Sequence, residues 1–134
     1  MTVLVVDAAN VVGSRPDGWW RDRAGATERL LGRLAALPGR TLTGPDGALG
    51  CTGVVAVVEG RARDVRAQDG VDVVRATGSG DDALVQFVLE RAGVPLLVVT
   101  ADRGLRDRLP DGTAVTGPGW LLGALDRIDR APPA

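Results

Sequence analysis

The chain has 134 residues, a net charge of −1 and a hydrophobic fraction of 45 %, which suits one ordinary folded domain. It contains no His, Lys or Tyr and a single cysteine, Cys51, which excludes histidine catalysis, Ser-His-Asp triads, His- or Cys-rich zinc sites, Schiff-base chemistry and Lys-containing phosphate loops. Carboxylates, arginines, amides and hydroxyls remain. If the chain is an enzyme, we therefore expect it to use Mg²⁺ or Mn²⁺ bound by carboxylates.

The chain carries no sign of a membrane or secretory location. Its apolar runs fall far short of the ~20 residues that a membrane span needs, and the N-terminus lacks the pattern of a signal peptide. The lone cysteine cannot form an internal disulfide. We therefore expect a cytoplasmic protein without membrane attachment, in which any site for a polyanion is local.

The first half of the chain predicts two buried strands separated by a loop and a helix. In chain order these are a strand over residues 2–7, a polar loop over 14–23, a helix from Thr27 to about Leu37, a Gly/Pro-rich loop or short hairpin over 40–52, and a strand over 54–58.

The second half predicts three further strands that alternate with helices. They are a short strand over 71–74, a helix over about 81–92, a strand over 94–100, a short helix to about Leu109, an edge strand over 113–115 and a last helix over 118–128. Because the strands are apolar throughout, we expect a mostly parallel sheet with helices on both faces. The predicted fold is a three-layer α/β/α sandwich over residues 1–130, followed by a disordered tail over 131–134.

Five acidic residues end or follow the predicted strands, at the edge where ligands bind in such sheets. They are Asp7, Glu59, Asp81, Asp82 and Asp102. Asp81 and Asp82 could instead cap a helix, Asp102 could form a turn, and Glu59 could be a solvated strand end. Together the acids favour a metal site, since clustered like charges persist when a cation lies among them.

Four short motifs resemble those of NYN domains, which belong to the PIN-like nuclease superfamily. They are residues 5–12 (VVDAANVV), 57–60 (VVEG), 78–84 (GSGDDAL) and 98–105 (VVTADRGL), and the resemblance runs in order from residue 3 to about residue 122. It implies a parallel sheet in the order 3-2-1-4-5 and metal-dependent cleavage of RNA. Glu59 departs from the pattern, because several of these nucleases carry Asp at that step.

The resemblance also implies roles for the acids. Asp7, Asp81 and Asp102 would ligate Mg²⁺ or Mn²⁺, with Asp82 as a fourth acid and Glu59 as an additional one. The sequence does not choose between one metal and two.

The remaining polar residues of these motifs would position the reaction. Asn10 would orient a ligand or the attacking water, and Thr100 would hydrogen-bond a carboxylate or a phosphate. Arg103 would contact the phosphate, so all three belong to the predicted site.

The polar loop over residues 14–23 is the candidate for holding RNA. Its arginines Arg15, Arg21 and Arg23 would contact phosphates, while Trp19 or Trp20 would stack an unpaired base. The alternative is that one tryptophan packs on the core and the arginines are solvated. Single-stranded or structured RNA is the expected partner, and a homodimer or a partner protein remains open.

Three other functions compete with a nuclease. Residues 78–83 fit a dinucleotide-binding fingerprint, and Asp102 lies about 20 residues further on. We rank dinucleotide binding below a nuclease function, because two aspartates at the helix start would repel a pyrophosphate. Asp7 could be a phosphoryl-transfer nucleophile, although Ala9 stands where a second acid is usual. Finally, the chain could be a non-catalytic RNA-binding relic of the nuclease fold.

Overall fold

A computed structural model describes residues 1–130, and the predicted tail over 131–134 lies outside them. The strands are β1 (Thr2–Asp7), β2 (Thr41–Gly44), β3 (Gly47–Val58), β4 (Val71–Arg75), β5 (Leu96–Val99) and β6 (Ala114–Thr116). The α-helices are α1 (Ala8–Gly13), α2 (Arg23–Leu34), α3 (Gly80–Leu89), α4 (Arg103–Arg108) and α5 (Pro118–Arg130). Short 3₁₀ turns occupy Trp19–Arg21 and Gly60–Ala62.

All six strands belong to one sheet, in which β1 lies between β3 and β5. The pairs β1–β3, β1–β5, β3–β4 and β5–β6 are parallel, whereas β2 runs antiparallel to β3. The path through the sheet is β2-β3-β1-β5-β6, and β4 also pairs with β3. The sheet is therefore mixed.

The predicted mostly parallel three-layer sandwich with strand order 3-2-1-4-5 is wrong. The sheet is mixed and curls into a half-barrel. The physical reason is the Gly/Pro-rich segment over residues 40–52, which forms a hairpin: Thr41–Gly44 pairs with Gly47–Gly50. Gly47 adopts a φ of 115° at the turn, a conformation that favours glycine. The strand predicted over 54–58 is only the second half of the twelve-residue β3.

The core lies on both faces of the sheet, because successive side chains of a strand point to opposite sides. On one face, Leu4 and Val6 pack with leucines of α2 and α5. On the other, Val5 packs with α3 and α4 through residues such as Leu84 and Leu105. Each fully buried Leu or Val contributes roughly 1.5–3 kcal/mol. The buried strand β1 therefore holds its last residue in a well-defined place.

The parallel strands end together at one edge of the sheet. Asp7 at the end of β1 pairs in register with Val57 of β3, and Val6 pairs with Val99 of β5. Val58 of β3 pairs with Arg75 of β4. We call the ends of β1, β3, β4 and β5 the site edge. No helix in residues 1–130 is both long and apolar enough to cross a lipid bilayer.

Candidate active site at the carboxyl edge of the sheet

Asp7 is the most buried acid of the site edge, with only 7 % of its surface exposed. Thr100 donates a hydrogen bond from Oγ1 to Asp7 Oδ2 at 2.9 Å, and the backbone N–H of Asn10 donates to Oδ1 at 3.4 Å. Burial raises the pKa of Asp7 to about 6, as do the charges of Asp81 and Glu59, against the lowering effect of the two hydrogen bonds. Asp7 thus carries a carboxylate that ionises near neutral pH.

Two neighbours of Asp7 tie the loop after β5 to α1. Thr100 Oγ1 accepts a hydrogen bond from the backbone N–H of Asp102 at 3.1 Å, while Asn10 Oδ1 accepts one from Ala101 N–H at 2.8 Å. Asp102 in turn caps α4, since its Oδ1 accepts from Leu105 N–H at 3.1 Å. Thr100 and Asn10 therefore hold Asp102 close to Asp7 through the backbone.

Glu59 draws the start of α3 to the end of β3. Its Oε2 accepts a hydrogen bond from Gly80 N–H at 2.6 Å. A Cβ at residue 80 would come within 2.8 Å of the Glu59 carboxyl carbon, so any larger residue there would displace the Glu59 carboxylate. This contact places Asp81, in the first turn of α3, beside the ends of β1 and β3.

Asp81 shows that the acids face a common space. Its pKa is raised by partial burial and then by the charges of Asp102, Glu59 and Asp82, while Arg108 lowers it. The charges of Asp81 and Glu59 likewise raise the pKa of Asp7. We call Asp7, Glu59, Asp81 and Asp102 the acid cluster, because each interacts electrostatically with at least one other.

Asp82 stands apart from this cluster. Its Oδ1 forms an ion pair with Arg108 Nη2 at 2.6 Å, and its backbone N–H donates to Ser79 Oγ at 3.2 Å. Both charged side chains are largely exposed, so the pair adds little to stability. Of the two aspartates at the start of α3, Asp81 is the one that faces the acid cluster.

The donor chemistry of the acid cluster suits a hard divalent cation, since every candidate ligand is a carboxylate oxygen. Within the described part of the chain, however, no three acidic side chains already lie in an arrangement that could hold a metal ion. Asp81 and Asp102 are half-buried, and Asp102 Oδ1 already caps α4. A metal at this edge would require the carboxylates to move closer together than they lie here.

The predicted RNA-binding loop forms a small aromatic and cationic surface. The rings of Trp19 and Trp20 meet edge to face with centroids 6.1 Å apart. The guanidinium of Arg23 lies 5.2 Å from the Trp19 ring centre, and that of Arg21 lies 5.9 Å from the Trp20 ring centre. Trp20 is exposed, whereas Trp19 is half-buried.

The other two predicted phosphate contacts differ in their surroundings. Arg15 forms an ion pair with Asp126 of α5 at 3.2 Å, and Arg33 binds the same carboxylate at 2.7 Å. Arg15 is thus already engaged, beyond the end of α1 that is remote from Asp7. Arg103 is exposed at the first turn of α4, directly after Asp102.

Sequence reasoning missed a second group of arginines at the site edge. They follow β3 and end β4: Arg61, Arg63, Arg66 and Arg75. All four are exposed, and none forms an ion pair within residues 1–130. Arg75 Nη1 donates to the carbonyl of Arg63 at 2.6 Å, which joins the two segments. The spacing Arg-x-Arg-x-x-Arg directly after Glu59-Gly60 is the signal that could have revealed them.

Comparison with known proteins gives structural matches and no sequence match. No family model matches the chain. A comparison with curated protein sequences also finds no significant match. The resemblance to NYN domains therefore stays a prediction.

Two solved structures share the fold. The chain is similar to Rae1 (YacP) from Bacillus subtilis, with a TM-score of 0.72 and 16 % identity over 97 % of this chain and 76 % of that one. The W164L mutant of the same protein gives a TM-score of 0.66 and 18 % identity over 97 % and 78 %. At this identity the likeness shows the fold alone: the chain has the fold of Rae1 (YacP).

Proposed function

We propose that this chain is a metal-dependent ribonuclease that hydrolyses phosphodiester bonds of RNA at the site edge. The observation that carries the proposal is the acid cluster, in which the like charges of Asp81 and Glu59 act on the buried carboxyl of Asp7. Such repulsion costs folding free energy, and a bound cation offsets it. A chain that keeps this arrangement beside unpaired arginines is suited to act on a polyanion.

Asp7, Asp81 and Asp102 would hold Mg²⁺ or Mn²⁺, with Asp82 available from the next position of α3. A divalent cation bound there would polarise the phosphate and lower the pKa of a coordinated water. The chain's own contribution is positioning: Thr100 fixes the orientation of Asp7, and Asn10 fixes the loop that carries Asp102. Asp7 must be ionised to bind a cation, so the affinity for metal should fall as the pH drops through about 6, the pKa of Asp7 in the metal-free chain.

The exposed arginines would supply the contacts to the RNA backbone. Arg61 and Arg63 follow Glu59 on one side of the acid cluster, and Arg103 follows Asp102 on another. Their charges favour a phosphate chain that the acids alone would repel. The net charge of −1 is compatible with RNA binding, because these arginines produce a positive field near the acid cluster.

A dinucleotide-binding function is less well supported by the contacts at residues 78–83. In such a fingerprint the N–H groups at the helix start are offered to a pyrophosphate. Here the N–H of Gly80 donates to Glu59, and Asp81 and Asp82 follow directly. A pyrophosphate would have to displace one carboxylate and lie beside two others.

The proposal is tested by RNA cleavage with the purified chain. Single-stranded RNA should be cut with Mn²⁺ or Mg²⁺ and left intact in excess EDTA. Asp7→Asn and Asp102→Asn should each abolish cleavage while remaining folded. Asp46→Asn is the matched control, because Asp46 is an exposed acid in the β2–β3 turn. Full cleavage in EDTA would overturn the proposal, and RNA binding without cleavage would favour the non-catalytic alternative.

A further inference from the structure

A pocket of about 380 Å³ opens between the Trp19 segment and the end of β3. Its lining includes Trp19 and Arg23 on one side and Glu59 with Gly60 on the other. Small-molecule sites typically measure roughly 300–1,000 Å³ and combine an apolar lining with a few polar groups. This pocket meets both criteria and has one acid of the acid cluster on its wall.

The lining of the pocket suits a flat aromatic ring. The guanidinium of Arg23 lies over the Trp19 ring, with 5.2 Å between the guanidinium carbon and the ring centre. Unpaired bases stack on tryptophan rings and on guanidinium planes alike. The remaining lining is small and mostly apolar, from Ala9, Val12, Ala62 and Thr27, which leaves room for a base.

Glu59 gives the pocket a chemical preference. A carboxylate only accepts hydrogen bonds, and Glu59 Oε2 is held in place by Gly80 N–H at 2.6 Å. The other oxygen, Oε1, receives no hydrogen bond from residues 1–130 and is available to an N–H donor. Guanine offers two adjacent donors, N1–H and N2–H, on its Watson–Crick edge. Uracil offers one N–H between two carbonyl oxygens, which a carboxylate repels.

We propose that this pocket binds one unpaired guanine base of the RNA, with Trp19 and Arg23 stacking the ring and Glu59 accepting from its N–H edge. The proposal rests on the proposed function in that it names a base for the same substrate. In this proposal Glu59 recognises the base and does not bind metal. Because Gly80 binds Glu59 and Asp81 is the next residue, the base would lie directly beside the acid cluster.

The test is a binding experiment in EDTA, so that it does not depend on metal or cleavage. The ¹⁵N-labelled chain is titrated with GMP and with UMP, and the Gly80 amide and the three indole N–H signals are followed. Both nucleotides carry the same phosphate, so the difference between them reports the base. We expect GMP to shift the Trp19 indole and Gly80 signals at concentrations where UMP does not. The Trp120 indole, bonded to the Thr43 carbonyl, should stay unchanged.

Two variants separate recognition from a general loss of binding. Glu59→Gln should weaken GMP binding by about tenfold or more, since it removes a charge-assisted acceptor, and should change UMP binding little. Glu90→Gln is the matched control, because Glu90 lies exposed beyond the other end of α3. Ala62→Leu fills the pocket without replacing Glu59 and should weaken GMP binding as well.

The outcomes also distinguish this proposal from the function above. Equal shifts with GMP and UMP, or an unchanged preference in Glu59→Gln, would overturn the guanine site. So would binding that survives Ala62→Leu. If GMP binds as expected but RNA is not cleaved with any metal, the base site stands and the nuclease proposal fails.

Discussion

Thr100 and Asp7 are joined by a buried hydrogen bond of 2.9 Å between Thr100 Oγ1 and Asp7 Oδ2. Asp7 ends β1 and Thr100 directly follows β5, so the bond connects neighbouring strands at the site edge. The same hydroxyl accepts from the backbone N–H of Asp102 at 3.1 Å. One hydroxyl therefore fixes the relative position of two acids of the acid cluster.

Replacing Thr100 should shift the ionisation of Asp7. Thr100→Val keeps the shape and removes the donor, so the pKa of Asp7 should rise above its present value of about 6. Above that pH the variant should also lose about 1–3 kcal/mol of stability, because a buried carboxylate loses its partner. The pH midpoint of Mn²⁺-dependent cleavage should move upward, whereas Thr100→Ser should behave like the wild type. Identical pH profiles for the Val and Ser variants would contradict this role.

The raised pKa of Asp7 makes stability depend on pH. A carboxyl whose folded pKa is about 6 and whose ordinary value is 3.8 favours folding in its protonated form. Its contribution is complete below pH 3.8 and is lost as the pH rises through 6. At about 1.4 kcal/mol per unit, the loss is roughly 3 kcal/mol.

Asp7→Asn isolates this effect from the other titrating groups. The variant keeps the side-chain shape and carries no charge, so its unfolding free energy should not fall in the same pH window. The measurement is urea unfolding of both proteins in EDTA between pH 4 and pH 7.5. If the difference between the two proteins does not change with pH, Asp7 has an ordinary pKa.

The Gly80–Glu59 contact should be sensitive to a single methyl group. Gly80→Ala would bring Cβ within 2.8 Å of the Glu59 carboxyl carbon, so the carboxylate would have to move and its hydrogen bond from the Gly80 N–H would weaken, at a cost of about 0.5–1.5 kcal/mol. Gly32→Ala is the matched control: Gly32 lies in α2 with nothing within 4 Å of its Cβ position, so alanine should stabilise the helix by roughly 0.5–1 kcal/mol.

A double-mutant cycle identifies Glu59 as the cause. Gly80→Ala combined with Glu59→Ala should cost clearly less than the two single changes together, because the clash is gone. Thermal unfolding of the four proteins in EDTA gives the coupling free energy. Additive costs would mean that the two residues do not meet.

The fold was only partly accessible from the sequence. β1 occupies the predicted residues 2–7 because a β-branched apolar run ending in Asp has few alternatives. The Gly/Pro-rich segment is different: in β2 only Leu42 is buried, and the hairpin is held by backbone hydrogen bonds and by Gly47 at the turn. Hydrophobic periodicity carries little information about such a pairing. A short hairpin was one of two expectations for this segment, but its continuation into β3, and with it the mixed sheet, was missed.

The candidate site, like the fold, could be predicted from the sequence only in part. Strand ends share an edge in any parallel arrangement, which explains why Asp7 and Asp102 lie near each other. The rule does not say which acids bind metal, and those roles stay predictions. The engagement of Arg15 by Asp126, 111 positions away, depends on how α1 packs beside α5. No pattern in the sequence near either residue predicts such a contact.

RNA affinity should depend on the arginines that follow β3. Arg61→Ala combined with Arg63→Ala should weaken binding of single-stranded RNA of any sequence. It should also reduce the slope of log affinity against log salt by about 0.7 for each lost phosphate contact. Arg127→Ala, on the exposed side of α5, is the control. Binding would be measured by fluorescence anisotropy in EDTA at several salt concentrations. An unchanged slope in the double variant would place the RNA elsewhere.

Metal binding should be visible in stability without any knowledge of the substrate. If the acid cluster binds Mn²⁺ in the folded state alone, the melting temperature should rise with metal concentration by mass action. Asp81→Asn removes a carboxyl group whose pKa is raised, so it should stabilise the chain in EDTA or leave its stability unchanged. The same variant should show a smaller rise in melting temperature with Mn²⁺. Asp82→Asn, which removes an exposed ion pair with Arg108, should retain most of that shift. The comparison decides which aspartate at the start of α3 is the closer ligand. Equal loss of the shift in both variants would assign the role to both, and identical wild-type melting curves with and without Mn²⁺ would count against a metal site at this edge.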